Sequence, residues 1–406
     1  MRVTVGQLIS PRQSERVGYG GRVIEIDTVA GAEAWVALDS PRPDAAFEAL
    51  DLGDVDGFES GSFEGCLFLS CVLTDAQAGF LTTTGATVVR DSPERPYSAH
   101  RARLYTPDEL FAGFDRADPA GYASTFDSIV YRHWVDSGRQ YPASVAESLA
   151  RRLHDHSISD ALQEALDGRR PVAIMGGHEL ERSHPRYATV ARISRTLTRD
   201  GYSMLSGGGP GAMEATHLGA YMAHFEDDQL AAAISVLSPR PKGAPVGKEY
   251  ADLDWLHRAF AVRQRWPLHE ILYDSIGIPT WMYGHEPPAA FATKIAKYFE
   301  NSVREEGLLA VATHGVVFTP GSAGTIQEIF QDATQNHYAS FGIASPMILL
   351  DRGYWTNTHP VWPLLQSLAK HHDYETLIAL TDDEHEVIHR ITSYQRSGVL
   401  DGFVSG

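Results

Sequence analysis

The chain has 406 residues, 43% of them hydrophobic and 21% charged, which is ordinary globular composition with room for two domains. Its formal net charge of -18 argues against nonspecific binding to nucleic acid or to an anionic membrane, since both need clustered positive surface, so any anion site must be built locally. The opening residues, Met1-Arg2-Val3-Thr4-Val5-Gly6-Gln7, lack the apolar stretch of a signal peptide, and no uncharged apolar run approaches about 18 residues, so a soluble, cytoplasmic protein with no membrane partner is expected.

Residues 1 to about 60 are rich in Gly, Asp and Pro and carry short β-like runs such as Arg22-Val23-Ile24-Glu25-Ile26, with no helical period. The glycines from Gly18 to Gly21 have no strand-turn-helix context and read as a plain turn. Cys66 to Leu73 reads as a buried strand, Thr74-Asp75-Ala76-Gln77 as a helix start with a capping box, and Ala86-Thr87-Val88-Val89 as the next strand of a βαβ unit. The two cysteines, Cys66 and Cys71, are five residues apart, so in a strand they face opposite sides and cannot bridge; they are expected as small core residues of a reducing compartment. Thr106-Pro107-Asp108-Glu109 is a helix start with a Thr cap, Pro at the first helical position and Glu at the third. A helix is predicted from Ser144 to Leu166, and the domain boundary is placed near residue 165, separating an N-terminal accessory α/β domain (1–165) from a second domain (166–406).

Beyond the boundary, strands and helices alternate: strand Val172 to Met175, helix Pro185 to Arg199, strand Tyr202 to Leu205, helix Gly211 to Ala223 and strand Ala231 to Leu237. Pro239 to Tyr250 is a Pro/Gly/Lys loop, a candidate lid. A helix from Asp252 to Arg265 and a strand near Ile278 to Tyr283 follow, and Gly284-His285-Glu286-Pro287-Pro288 then stops the strand and starts a helix running to about Glu300. Ser302-Val303-Arg304-Glu305 repeats the capping-box pattern and sets Arg304 in a first helical turn. Met347 to Leu350, Trp362 to Lys370, Leu377 to Leu380 and Asp383 to Tyr394 supply the last strands and helices. Alternation of this kind predicts an α/β fold with a doubly wound, parallel, Rossmann-like sheet that binds ligands at the carboxyl ends of its strands.

Two glycine-rich turns stand where such ligands bind. Thr319-Pro320-Gly321-Ser322-Ala323-Gly324-Thr325-Ile326-Gln327-Glu328 follows the apolar run Gly315 to Phe318 and opens a helix, whose first turn offers unpaired N–H donors and a positive dipole end to an anion. Thr325 can add a hydroxyl donor, and Glu328, one turn on, directs a carboxylate over the same place. Upstream, Ser206-Gly207-Gly208-Gly209-Pro210-Gly211-Ala212-Met213-Glu214 also follows an apolar run and opens a helix. Together, in this order, the two turns resemble those of the Lonely guy family, whose members carry a GGGxxGxM(E) loop followed by a PGGxGTxxE loop, and the resemblance extends from about Arg170 to Arg390. Gly176-Gly177-His178 looks like the GGH turn of the larger bacterial members, the nucleotide 5′-monophosphate nucleosidases.

The resemblance implies hydrolysis of the N-glycosidic bond of a nucleoside 5′-monophosphate to free base and ribose 5-phosphate, with no metal or redox cofactor, by a homodimer or larger homo-oligomer. Glu328 would stabilise or activate at the anomeric carbon. The family's basic residue before the PGGxGT strand falls to Arg304, at a spacing needing one extra residue, or to Lys294. The N–H groups of Gly321 to Thr325 and of Gly208 to Gly211 would hold phosphate and sugar, with Gly177, His178 and Met213 alongside. Ser322 departs from the motif's second Gly, and if that position needs positive φ, Ser would cost about 1 kcal/mol. Glu214 reads either as a solvated helix-start carboxylate or as a ribose-hydroxyl acceptor, and His178 either as a cap or core residue or as a contact to base or phosphate. His385-Glu386-Val387-Ile388-His389 matches HExxH, but Val387, Ile388 and Ile391 form the buried stripe and leave both histidines toward solvent, so no metal is expected there. His154-Asp155-His156 and His371-His372-Asp373 likewise read as polar surface. The alternative function is a nucleotide-binding sensor or carrier without turnover.

Overall fold

The computed structural model describes residues 23–38, 42–115, 121–240, 244–245, 248–284 and 286–395; the Gly18 to Gly21 turn, parts of the Pro239 to Tyr250 loop and His285 lie outside them. The chain forms two compact units, Met1–Leu104 with His133–Glu164 and Tyr105–Arg132 with Ala165–Gly406. Residues 105–132, assigned from sequence to the N-terminal domain, thus group with the second unit. No helix among the described residues is long and apolar enough to cross a membrane.

The first unit is a four-stranded parallel sheet in the order β1-β2-β3-β4, built from β1 (Ile24–Ile26), α1 (Val29–Val36), β2 (Ala45–Glu48), β3 (Leu67–Leu69), α2 (Asp75–Thr83) and β4 (Thr87–Val89). Its centre is aromatic: Phe47 stacks on Phe68 at 4.6 Å, with Trp35, Phe58 and Phe63 packed edge-on or tilted around them. The capping box at Thr74 and Gln77 forms as expected. Helix α1, absent from the sequence reading, is capped by Thr28 and buries only Ala32 and Trp35, too few positions to show a helical period. Cys66 and Cys71 are buried free thiols.

The chain continues through α3 (Pro107–Leu110, capped by Thr106), α4 (Phe126–Asp136) and α5 (Val145–Leu166). On α5, His154 and Asp155 are buried rather than on the surface; His154 Nδ1 lies 3.1 Å from Asp155 Oδ1. Then follow β5 (Pro171–Met175), α6 (Pro185–Arg199), β6 (Ser203–Ser206), α7 (Ala212–Tyr221), α8 (Asp227–Leu237), α9 (Leu253–Arg265), β7 (Ser275–Gly277), β8 (Lys294–Ile295), α10 (Asn301–Val311), β9 (Val316–Phe318), α11 (Ala323–Tyr338), β10 (Met347–Leu350), α12 (Trp362–Ala369), β11 (Ile378–Thr381) and α13 (Glu384–Ser393). The seven strands pair in parallel in the order β11-β10-β9-β5-β6-β7-β8. β5, β6 and β9 are buried throughout, which is why β5 and β9 read as unbroken apolar runs and β6 as a short one, Met204-Leu205, between two buried serines. β5 lies at the centre, with its successor β6 on one side and β9 on the other, so the strand order reverses between β5 and β9, the switch point where open α/β sheets bind ligands.

Four expectations are corrected. The Ala231 to Leu237 strand is the end of α8, whose buried Leu230, Ala233 and Leu237 follow helical spacing and whose alanines favour the helix. The strand near Ile278 to Tyr283 lies earlier, at β7, because Pro279 lacks an N–H and a short helical turn at Trp281–Tyr283 follows. The helix expected up to Glu300 is instead an irregular segment carrying β8, which pairs with β7 and is buried nearly all round, a pattern that fits strand and helix alike. Helix α10 begins at Asn301 with Glu300 as its cap, not at Ser302, and Glu305 accepts a hydrogen bond from Asn301 Nδ2 at 2.7 Å.

Candidate functional site

Three turns leave the carboxyl ends of the neighbouring strands β5, β6 and β9 and touch one another. After β5, Gly177 N donates to Pro320 O at 3.1 Å, and Gly177 O accepts from Ala212 N at 3.3 Å, so the first turn is bonded to both others. Thr319 donates from its N–H and its hydroxyl to Met175 O, at 2.8 and 3.2 Å. The contacts leave no room for side chains: a Cβ on Gly176 would lie 1.9 Å from Thr319 Oγ1, and one on Gly211 only 2.4 Å from Gly177 O. Gly211 also has φ +71°, as Gly208 has +72°, so both positions need glycine on conformation as well.

Behind the second turn runs a buried relay. Gly208 N donates to Ser206 Oγ at 3.1 Å, Ser206 Oγ lies 2.8 Å from His217 Nε2, and His217 Nδ1 lies 2.7 Å from Ser275 Oγ on β7. Burial pushes the His217 pKa down to about 3, so the ring is neutral and can both donate and accept. The relay takes up the Gly208 amide, which is therefore not offered to a ligand as expected.

The third turn opens α11 at Ser322, where φ is −94°, outside the left-handed region, so serine replaces glycine there without strain. Ser322 O accepts from Ile326 N, which leaves the amides of Ala323, Gly324 and Thr325 without an intrahelical partner. Ser322, Ala323 and Gly324 are exposed, whereas Thr325 is buried under Gly321, whose Cβ would lie 2.1 Å from Thr325 Oγ1. Tyr354, beyond β10, fixes this turn by donating from its hydroxyl to Gly321 O at 2.7 Å.

Arg304 on α10 joins the second turn to the third. Its Nε donates to Ile278 O at 2.7 Å, its Nη2 to Gly207 O at 3.4 Å, and its Nη1 lies 3.8 Å from Glu328 Oε1. Gly207 is glycine because a Cβ would meet both Arg304 Nη2 at 2.3 Å and the Met213 sulfur at 2.7 Å. Glu328 is 9% exposed. Burial pushes its pKa up to about 7, opposed by the Arg304 charge and reinforced by Glu305. Such a carboxyl can hold or give up a proton near neutral pH, which suits general acid-base work.

Other expected residues fall differently. Glu214 is neither solvated nor free for a sugar: it is 1% exposed, clasped by Arg182, whose Nε donates to it at 2.7 Å, and by the Tyr187 hydroxyl at 2.9 Å. Lys294 pairs at 3.1 Å with Asp274, the residue preceding β7, and so lies at the amino edge of the sheet, opposite the turns. His178 is half-buried, its Nδ1 3.9 Å from Glu286 Oε1. Glu286 Oε2 would lie 3.1 Å from a Cβ on Gly209, which puts a second carboxylate beside the glycine turns. Glu286, Arg182 and Tyr354 were missed because each stands alone in sequence without a motif. On α13, His385 and His389 are exposed while Val387 and Ile391 are fully buried.

No protein-family model matches the chain, and no curated protein matches it. Among solved structures, it is similar to the molybdenum cofactor binding protein from the phototrophic bacterium Rippkaea orientalis, at 15% identity and a TM-score of 0.35, over 55% of this chain and 96% of that one. Two structures of the molybdenum cofactor carrier protein from Chlamydomonas reinhardtii are similar at 12% and 13% identity and TM-scores of 0.33 and 0.34, with the same coverage. At TM-scores this low the likeness bears on neither ligand nor reaction.

Proposed function

We propose that the carboxyl edge of the seven-stranded sheet binds a nucleoside 5′-monophosphate, with its phosphate on the open amides of α11. The observation that carries this reading is Arg304, which ties the glycine turn at Gly207 to Glu328 behind the phosphate turn and so sets one acid beside both. In keeping with the resemblance to the Lonely guy family, the reaction is hydrolysis of the N-glycosidic bond. The C1′–N bond breaks, its electron pair leaving with the base, and an oxocarbenium-like centre develops at C1′. Glu328, ionised, stabilises that charge and takes a proton from the attacking water, whose oxygen bonds to C1′; that proton passes on to the departing base, which restores the carboxylate, and the products are free base and ribose 5-phosphate. Arg304 holds the Glu328 carboxylate in place and lowers the cost of its charge.

The second reading is a carrier or sensor that holds the same ligand without turnover. One observation favours it: burial raises the Glu328 pKa to about 7, so near neutral pH a share of the chains carries the protonated acid, which cannot take a proton from water. The similar solved structures are named for binding or carrying a cofactor, which is said of those proteins alone. Incubating the purified chain with AMP, GMP, CMP and UMP, and following free base by chromatography, separates the two. Base release that Glu328→Gln abolishes while the fold survives supports the hydrolase; tight binding with no release supports the carrier; full activity in Glu328→Gln removes the acid from the mechanism.

A further inference from the structure

Next to the glycine turn of residues 207–211 lies a second open cleft, whose near wall, His178, Pro210 and Gly211, belongs also to the site above. Tyr250 and Trp255 line it too, as an aromatic wall. That wall is rigid. The Arg182 guanidinium lies over the Trp255 ring at 3.8 Å, donates to Trp255 O at 2.7 Å, and is clasped from the other side by the fully buried Glu214. Tyr250 stands edge-on to the His178 imidazole, with ring centres 6.1 Å apart and planes at 86°, and the His178 side chain stays 36% exposed. At the rim, Arg240 Nη1 and Glu181 Oε1 lie 3.7 Å apart, with the side chains 38% and 28% exposed. The cleft therefore offers aromatic walls and, at one edge, a hydrogen-bond donor next to an acceptor.

The occupant that fits is flat and heteroaromatic, with an acceptor beside a donor on its own rim, which describes a nucleobase. The cleft is continuous with the glycine turns. The backbone contacts run in one row from Gly321 through Gly177 to Gly211: a Cβ on Gly177 would sit 3.3 Å from Gly321 Cα, and one on Gly211 would sit 2.4 Å from Gly177 O. The Gly177 turn thus touches both the turn that opens α11 and the turn at Gly211 that lines the cleft. We propose that the cleft seats the base of the nucleotide against its Tyr250–Trp255 lining, and that Glu181 and Arg240 read its hydrogen-bonding edge and set which base is accepted. This assignment rests on the phosphorylated-ribose reading of the neighbouring turns.

The test is titration calorimetry of the full chain with ribose 5-phosphate and, separately, with AMP, GMP, CMP and UMP, repeated for Arg240→Ala and Glu181→Gln, two rim variants of which either suffices. At least one nucleotide binds the unaltered chain tenfold or more tighter than ribose 5-phosphate, and each variant brings that nucleotide to within about twofold of ribose 5-phosphate while leaving ribose 5-phosphate itself unchanged. Nucleotides binding no tighter than ribose 5-phosphate, or variants weakening both ligands equally, overturn the base site and leave the phosphate site standing. Failure of ribose 5-phosphate and of every nucleotide to bind the unaltered chain overturns both.

Discussion

Replacing Glu328 with Gln keeps the size of the side chain and a hydrogen-bonding oxygen toward Arg304 but removes a carboxyl that burial has pushed up to about 7 from an ordinary value of 4.5. A folded-state pKa above the unfolded one means that the native chain holds this proton more tightly. The stabilisation is complete below the unfolded value and is lost as pH rises through the folded one. With those two values, the loss between pH 5 and pH 8 comes to about 2.5 kcal/mol, from a full difference of roughly 3.4 kcal/mol at about 1.36 kcal/mol per unit. Urea unfolding of the unliganded chain at half-unit steps of pH measures it directly, since the variant lacks the titrating group and its curve sheds this component. The unaltered chain should lose about 2.5 kcal/mol more than Glu328→Gln across that window. Curves that run parallel from pH 5 to pH 8 would refute the burial argument and, with it, the case for a proton-transferring acid at this position.

Arg304→Gln removes the nearest positive charge from Glu328, so its proton should come off at still higher pH; the midpoint of the pH dependence above moves upward, and an unmoved midpoint argues that the 3.8 Å pair is not felt. Gly211→Ala places a Cβ against Gly177 O at φ +71° and should destabilise by about 2 kcal/mol or more in urea unfolding, with loss of nucleotide binding; a change below about 0.5 kcal/mol would contradict the packing of the turns. Glu214→Gln leaves Arg182 buried without its counter-charge and should cost about 3 to 5 kcal/mol, whereas a solvated carboxylate would give nearly none. Ser322→Gly should not stabilise, because φ is −94° and glycine only adds freedom to the unfolded chain; a rise of about 1 kcal/mol would mean that the serine is strained.

How much of this was legible in the sequence depended on where the information sits. The glycine turns were legible because Gly211 and Gly208 answer a local demand, positive φ and contact with backbone, which leaves a local mark. Arg304 was found through its place in a helix start, although the cap itself is Glu300. The parallel sheet was legible from alternation, but helix and strand were exchanged twice: 231–237 is apolar enough to read as a strand although only Leu230, Ala233 and Leu237 of α8 are buried, at helical spacing, and 287–300 is buried nearly all round and so shows no period. Glu214 looked like a site residue because its partner Arg182 stands 32 residues away and bears no motif. The cleft walls at Tyr250 and Trp255 were invisible for the same reason: what makes them a wall is a stack and a salt bridge assembled only in three dimensions.

The bonds between the turns carry a further consequence. Because Gly177 donates to Pro320 and accepts from Ala212, loosening any one turn releases an amide or a carbonyl in another. The three segments should therefore open as one cooperative unit, and a ligand resting on α11 alone would slow hydrogen exchange at Gly177 and Ala212 as well as at Ala323. An insertion or loop exchange confined to residues 176–178, however conservative in length, would be felt at both remote turns, so transplanting this site onto another sheet would require all three connections together.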